Sequence, residues 1–209
     1  MAMHGFSAAT IIFAALIASP AASGMNIGGF AFDDNAFADE VTASTGDFEL
    51  FDTPPSLSAA LTDTDPGTGA FSFDKGASVT LRFVDNVLIN GPGRDLVLFE
   101  TGVVDTFRVT IDGVTRDVLS SSTGETAGGF DLNAAAIDLS EFGLGSGARI
   151  SEVRIALDHR SPDPRPTVPS LTLAAALNSQ PAEPPLPARL ALLLSGLAGL
   201  GLPRPHPRS

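Results

Sequence analysis

Short runs in which apolar and polar residues alternate recur through the middle of this 209-residue chain. The clearest are residues 79–83, 107–111 and 153–157, where every second side chain is apolar. A period of two places alternate side chains on opposite faces of a strand, so these runs predict β-strands with one buried face. The body lacks the longer period of an amphipathic helix, which argues against a helical bundle.

Two further segments shape the predicted fold. Residues 96–99 are apolar at every position and predict a central strand that is covered on both faces. Asp112-Gly113 separates two alternating runs and predicts a type I′ hairpin turn that joins residues 105–111 to 114–119.

Weaker strand candidates, and then two candidates for single helical turns, complete the pattern: residues 29–33, 48–51, 70–73, 130–132 and 171–177, then 133–136 and 140–142. Many short strands with few helices predict an all-β fold, an antiparallel β-sandwich of jelly-roll type.

The amino end carries an apolar run at residues 6–18, followed by small residues. This is the layout of a secretory signal peptide, which we assign to residues 1–23. A helix of 13 residues is too short to cross a bilayer core of about 30 Å, so cleavage rather than anchoring is expected. A short apolar element packed on the core is the alternative.

After a predicted sandwich domain at residues 24–178, the composition changes twice. Residues 179–188 are rich in proline and predict a stiff spacer. Residues 189–209 contain a short apolar segment and a basic tail. The segment predicts a short hydrophobic helix that engages a membrane transiently, because its length falls below a full span. A disordered apolar tail or simple membrane association is the alternative.

The order of proline-rich box, apolar segment and basic end resembles the VPLPA variant of the PEP-CTERM family of C-terminal sorting signals. Exported proteins of Gram-negative bacteria carry these signals. The matching residues of the box and of the basic end are Pro185, Leu186, Pro187, Ala188, Arg204 and Arg208. Pro184 stands where the family has Val. The resemblance implies a protein of the cell surface or extracellular matrix that a membrane-bound, exosortase-like sorting protease processes.

Residues 85–100 look like a segment of exported bacterial surface proteins and are similar in layout to galactose-binding-like and discoidin-like jelly rolls. The resemblance extends over residues 26–178. It implies a fold and brings no established activity with it.

Composition excludes several kinds of partner and site. Residues 33–183 hold 24 acidic and nine basic residues, a net charge of −15, so nucleic-acid binding is not expected. The absence of cysteine excludes disulfides and thiolate chemistry. Fourteen Phe with no Tyr or Trp predict aromatic side chains that lie in the core, which argues against a sugar-stacking surface.

One oxygen-rich segment predicts a metal site. Asp85, Asn86, Asn90, Asp95 and Glu100 surround a Gly-Pro-Gly turn between two predicted strands. Calcium takes about six to eight oxygen ligands, so calcium is the expected ion. The alternative is structural: Asx turns at Asp85 and Asn90, an Asp95 that binds loop amides, and a Glu100 paired with an Arg.

Catalytic motifs are weak, and we expect a protein that is not an enzyme. His159, the histidine of the body, has no Gly-x-Ser-x-Gly elbow near it. The main prediction is a non-catalytic, exported surface or matrix protein. One alternative is a calcium-assisted module that binds polysaccharide or a surface partner. A carboxylate-based hydrolase is the third, because spacing in sequence does not reveal a catalytic pair.

Overall fold

A computed structural model describes residues 24–158 and 168–182, which contain seventeen short strands. Strands of the first half are β1 (Met25–Ile27), β2 (Phe30–Phe32), β3 (Glu40–Thr45), β4 (Glu49–Phe51), β5 (Gly69–Phe71), β6 (Ser78–Arg82), β7 (Asn86–Ile89) and β8 (Leu96–Thr101). Strands of the second half are β9 (Thr106–Ile111), β10 (Val114–Leu119), β11 (Ser121–Ala127), β12 (Phe130–Ile137), β13 (Arg149–Ile150), β14 (Glu152–Asp158), β15 (Ser170–Leu171), β16 (Ala174–Ala176) and β17 (Ser179–Pro181).

The strands form an antiparallel β-sandwich, and this confirms the predicted fold class. One layer is a five-stranded sheet in the order β10-β9-β14-β6-β3. The other contains a four-stranded sheet in the order β11-β12-β8-β16. Two three-stranded sheets, β13-β7-β17 and β15-β5-β4, and the β1-β2 hairpin account for the other strands of the described residues.

The first hydrophobic core lies between the two layers and confirms the alternation in the sequence. The inward side chains of three strands of the five-stranded sheet are fully buried there: Val79, Leu81, Phe107, Val109, Ile111, Val153, Ile155 and Leu157. Two of the intervening arginines, Arg82 and Arg108, face outward and form ion pairs. Arg82 lies 2.5 Å from Glu152, and Arg108 lies 2.8 Å from Asp117.

Strand β8 lies between two cores, as its doubly apolar sequence predicts. Leu96 and Leu98 belong to the first core, whereas Val97 and Phe99 belong to a second core on the other face of the four-stranded sheet. The β1-β2 hairpin covers this second core. Phe32 packs edge-to-face on Phe99, with ring centroids 5.9 Å apart.

The predicted hairpin turn is confirmed. Ile111 pairs with Val114, and the two residues between them both have positive φ, 48° at Asp112 and 77° at Gly113. Positive φ at both central positions is the requirement of a type I′ turn, which Asp-Gly meets with little strain.

Two local predictions were wrong, and one was confirmed. Residues 133–136 form part of β12 rather than a helical turn, because their small side chains lie in a buried strand that pairs with β8. Residues 179–181, assigned to the spacer, form β17 and pair with β7, so the sandwich extends beyond residue 178. The predicted turn at residues 140–142 is a 3-10 helix, Leu139–Phe142.

A short helix that the sequence did not predict, α1 (Leu57–Leu61), follows β4. It begins at Ser56, whose hydroxyl accepts a hydrogen bond from the backbone N–H of Ala59 at 3.1 Å. A serine at this position satisfies one of the N–H groups that the first turn of a helix leaves unpaired.

The predicted leader, the sorting-signal residues and His159 lie outside the described residues. Within residues 24–158 and 168–182, no helix has the length and apolar character to cross a membrane.

Candidate functional site

Asp95, one of the five predicted calcium ligands, is fully buried and engaged by the protein itself. Its Oδ1 accepts hydrogen bonds from the N–H of Gly91 and from Nδ2 of Asn178, and its Oδ2 accepts one from the N–H of Leu139, each at 2.8 Å. Three donors satisfy the carboxylate in place of a cation. This is the loop-binding role that the structural alternative gave to Asp95.

The other three predicted ligands near the turn lie in different environments, and none of them contacts Asp95 through a hydrogen bond between side chains that the structure shows. Asn90 is buried, and its Nδ2 donates to the carbonyl of Leu144 at 2.8 Å. Asn86 is buried on β7, and its amide nitrogen and oxygen have no hydrogen-bond partner within the described residues. Asp85 is exposed, and partial desolvation together with the negative charge of Asp39 raises its pKa.

Glu100 lies at the other end of β8, roughly 16 Å from Asp95 along an extended strand. The structure therefore does not bring the five predicted ligands into one site. The part of the chain that the structure describes contains no group of three or more His, Cys, Asp or Glu side chains placed to hold a metal ion.

The candidate site is a mostly apolar cavity of about 380 Å³, which we call the aromatic cleft. It lies where β4, β5, β8, β12 and β15 come together. Its described lining residues are Phe51, Phe71, Thr101, Gly102, Val103, Asp105, Phe130, Val168 and Ser170. A cavity of this size, mostly apolar with a few polar groups, has the character of a small-molecule site.

The Phe rings of the cleft are held in place by backbone geometry. Phe51 and Phe71 stack with centroids 6.5 Å apart and an interplanar angle of 24°. The ring of Phe51 lies over Gly69, where an added Cβ would come within 2.5 Å of the ring. A glycine at position 69 is thus what allows the ring to lie against the strand. Phe130 adds a third ring and is 58% exposed.

Polar groups in the cleft come from Ser170 and from the segment 101–105, which we call the wall. The Ser170 hydroxyl accepts a hydrogen bond from the Thr101 N–H at 3.1 Å and donates one to the Thr101 carbonyl at 3.0 Å. This pair joins β15 to β8 across the cleft. Gly102 has a φ of 104°, a conformation that L side chains rarely adopt.

Next to Phe51, two non-glycine residues adopt left-handed backbone conformations. The φ angles are 63° at Asp52 and 57° at Thr53. For a β-branched residue such as Thr this conformation is an outlier, and backbone strain of this kind concentrates at binding sites. The two strained residues directly follow Phe51, which lines the cleft.

The cleft carries no positive charge from its described lining residues, among which Asp105 is the only ionisable one. The arginines Arg82 and Arg108 form their ion pairs on the five-stranded sheet instead. With one carboxylate, the described lining does not supply the two carboxyl groups that acid-base hydrolysis of a glycoside uses.

The prediction that the aromatic side chains lie in the core was wrong for part of the set. Phe73 is 63% exposed and Phe130 is 58% exposed, whereas Phe83, Phe99, Phe107 and Phe142 are buried. Phe71 stands at the end of an alternating run, where the period of two places it on the face opposite Ala70. This was the one sequence signal that could have pointed to the cleft.

No family model matches the chain, and no curated protein matches it. Among solved structures it is similar to CsCBM6-3 from Clostridium stercorarium in complex with cellobiose, with 15% identity, a TM-score of 0.39, and coverage of 68% of this chain and 91% of that chain. It is also similar to CpGH89CBM32-4 from Clostridium perfringens in complex with GlcNAc-α-1,4-galactose, with 15% identity, a TM-score of 0.36, and coverage of 65% and 95%.

A third similar structure is an exo-β-1,3-galactanase from Phanerochaete chrysosporium with β-1,3-galactotriose. The identity is 13%, the TM-score is 0.39, and the match covers 71% of this chain. It spans 30% of the galactanase chain, which is therefore much longer than the matched region.

Proposed function

We propose that this chain is an exported, non-catalytic module that binds a neutral polysaccharide in the aromatic cleft. The observation that carries the proposal is the set of Phe51, Phe71 and Phe130 rings around a cavity of about 380 Å³. Their partial exposure favours the binding alternative over a surface protein without a ligand.

The chemistry of the cleft suits a sugar ring. The C–H faces of a pyranose are apolar and can pack on aromatic rings, while its hydroxyl groups need hydrogen-bond partners. The Ser170 hydroxyl, the backbone of Gly102 and the carboxylate of Asp105 lie among the same lining residues. This combination of apolar area and a few polar groups fixes the orientation of a ligand.

Charge selects among polysaccharides. The body carries a net charge of −15 between residues 33 and 183, and no described lining residue is basic. An acidic polysaccharide would meet like charge at long range and have no cation to pair with in the cleft. A neutral glycan avoids both costs.

Delivery to the cell exterior rests on the two ends of the chain. The apolar leader and the sorting tail that resembles VPLPA-type signals support export from a Gram-negative cell and processing by an exosortase-like protease. Because residues 179–181 belong to β17, the test is a truncation after Ala182. Full-length and truncated chains should fractionate differently, and the same cytoplasmic distribution for both would contradict export.

Binding is tested with the full chain purified in mild detergent. We expect retardation in native gels that contain neutral glucans or galactans, and none with uronic-acid polymers. Phe130→Ala should weaken retardation at least tenfold. Leu119→Ala is the control, because Leu119 is 54% exposed and does not line the cleft.

Repeating the gels with millimolar calcium tests the predicted assistance by this ion. If no polysaccharide retards the wild type under any condition, the module does not bind glycans in this cleft. The surface protein without a ligand is then the remaining function.

A further inference from the structure

The wall of the aromatic cleft, residues 101–105, is held by three buried side chains, those of Glu100, Asn133 and Ser120, and the Ser120 hydroxyl accepts a hydrogen bond from the N–H of Asp105 at 3.2 Å. Oε1 of Glu100 accepts hydrogen bonds from the N–H of Asp105, at 2.8 Å, and from the hydroxyl of Ser120. Nδ2 of Asn133 donates to the carbonyl of Gly102 at 3.1 Å. Glu100 and Asn133 are register partners on β8 and β12, so both act from the same level of the sheet.

A glutamate is unusual at this position, because ionisable side chains are rarely fully buried. Its side chain is fully buried, and its Oε2 has no hydrogen-bond partner within the described residues. An ionised carboxylate in such surroundings would have a bare, unsolvated oxygen, which costs far more than burying a neutral acid.

The protonation state follows from these surroundings. Burial raises the pKa of Glu100 from 4.5 to about 8, and the negative charge of Asp105 adds to the increase. The hydrogen bonds from Ser120 and from the Asp105 N–H act in the opposite direction without cancelling it. Asn133 faces Glu100 from β12 and carries no charge. Below about pH 8 the carboxyl is mainly neutral.

We propose that Glu100 is a positioning residue of the cleft: its uncharged carboxyl holds the 101–105 wall in place, and the wall opens when this carboxyl ionises in water. The binding consequence rests on the proposed function, because the wall supplies Thr101, Gly102, Val103 and Asp105 to the cleft. The opening itself does not depend on any ligand.

The direction of the pH effect follows from proton linkage. In the opened wall Glu100 is solvated and ionises near its ordinary pKa of 4.5, whereas in the closed wall it keeps its proton up to about pH 8. Raising the pH between these values therefore favours the opened form, by up to about tenfold per pH unit. Below this range, and above it, the ratio of the two forms no longer changes.

The experiment is hydrogen–deuterium exchange of the wall in the full chain, without ligand, corrected for the intrinsic pH dependence of exchange. In the wild type we expect protection of the Asp105 amide to fall by several-fold to tenfold per pH unit between pH 5 and pH 8. Glu100→Gln keeps the shape of the neutral acid and cannot ionise. Its wall should stay equally protected across the range.

Two controls separate positioning from a general loss of stability. Glu152→Gln makes the same substitution at an exposed position on the five-stranded sheet and should keep the wild-type pH profile. Ser120→Ala removes a hydroxyl that accepts from the Asp105 N–H and whose hydrogen bond to Glu100 lowers the pKa of Glu100, so protection of this amide should be lower at every pH and its decline should extend above pH 8. Ser120→Ala also serves as the second variant if Glu100→Gln does not fold.

Glycan affinity is then measured at pH 6 and pH 9. We expect wild-type affinity to fall at pH 9 and that of Glu100→Gln to stay unchanged, because only the closed wall is competent to bind. The same exchange profile in wild type and Glu100→Gln would overturn the proposal. A normal exchange result without any glycan binding would contradict the proposed function and leave the positioning role intact.

Discussion

Asp95 and Asn178 are joined by a hydrogen bond of 2.8 Å between Oδ1 of the aspartate and Nδ2 of the asparagine, 83 residues apart in the chain. The backbone carbonyl of Asp95 also accepts the N–H of Leu177 at 2.7 Å. Because the same carboxylate binds the amides of Gly91 and Leu139, one buried side chain ties three separate segments together.

Replacing Asp95 should therefore destabilise the whole sandwich. Asp95→Ala leaves one buried and two partly buried donors without their acceptor, and we expect a loss of about 3 kcal/mol in the free energy of unfolding. Asp95→Asn should also destabilise the sandwich, since the asparagine side chain places an NH2 group, which is a donor, where a carboxylate oxygen now accepts a hydrogen bond. Urea denaturation measures both. Asp33→Ala, at an exposed turn, should change stability by no more than about 0.5 kcal/mol.

The hairpin turn offers a test of backbone strain alone. Gly113 has a φ of 77°, and an added Cβ there would contact nothing within 4 Å. Gly113→Ala should cost about 1 kcal/mol by urea denaturation, through conformation rather than collision. Gly145→Ala is the control, because Gly145 lacks the positive φ and also has open space around it. Equal effects at the two positions would contradict the strain argument.

The stability of the protein should decrease as the pH rises from about 4.5 to about 8. The folded chain keeps a proton on Glu100 that the unfolded chain releases, since burial raises the folded pKa to about 8. Unfolding then becomes easier by up to about 1.4 kcal/mol per pH unit, and the effect levels off above pH 8. Melting temperatures at pH 5 and pH 8 measure it. Parallel profiles for wild type and Glu100→Gln would refute this assignment.

Gly69→Ala should displace the Phe51 ring, which lines the cleft. The added methyl group would come within 2.5 Å of the Phe51 ring and 2.6 Å of the Leu171 carbonyl, and a backbone atom yields little. We expect both a loss of about 2 kcal/mol in stability and at least tenfold weaker glycan binding. A variant that loses stability but binds normally would show that the position of the Phe51 ring does not matter for the ligand.

Much of the fold was readable from the sequence because burial and periodicity agree. The alternation around Val109 and Ile155 predicted strands, and the unbroken apolar run at residues 96–99 predicted a strand between two cores. Residues 133–136 misled because alanine favours helices in isolation, whereas pairing with β8 decides the outcome in the protein.

The candidate site was not readable in the same way. Its rings at positions 51, 71 and 130 are far apart in the chain, and apart from the alternation at Phe71 nothing local separates a cleft Phe from a core Phe. The oxygen-rich turn, by contrast, attracted a metal prediction through residue type alone. Asp95 directly precedes β8 and Glu100 lies near the other end of this strand, so the extended backbone keeps the two carboxyl groups apart.

The division of the interior by β8 has a consequence for self-association. The β1-β2 hairpin supplies Ile27 and Phe32 to the second core, while the first core is complete without it. A chain in which only this hairpin detaches keeps its two layers closed, yet presents the Val97 and Phe99 side of the four-stranded sheet to water. Aggregation of this protein can therefore begin from a nearly native state. By covering Val97 and Phe99, the hairpin opposes this route.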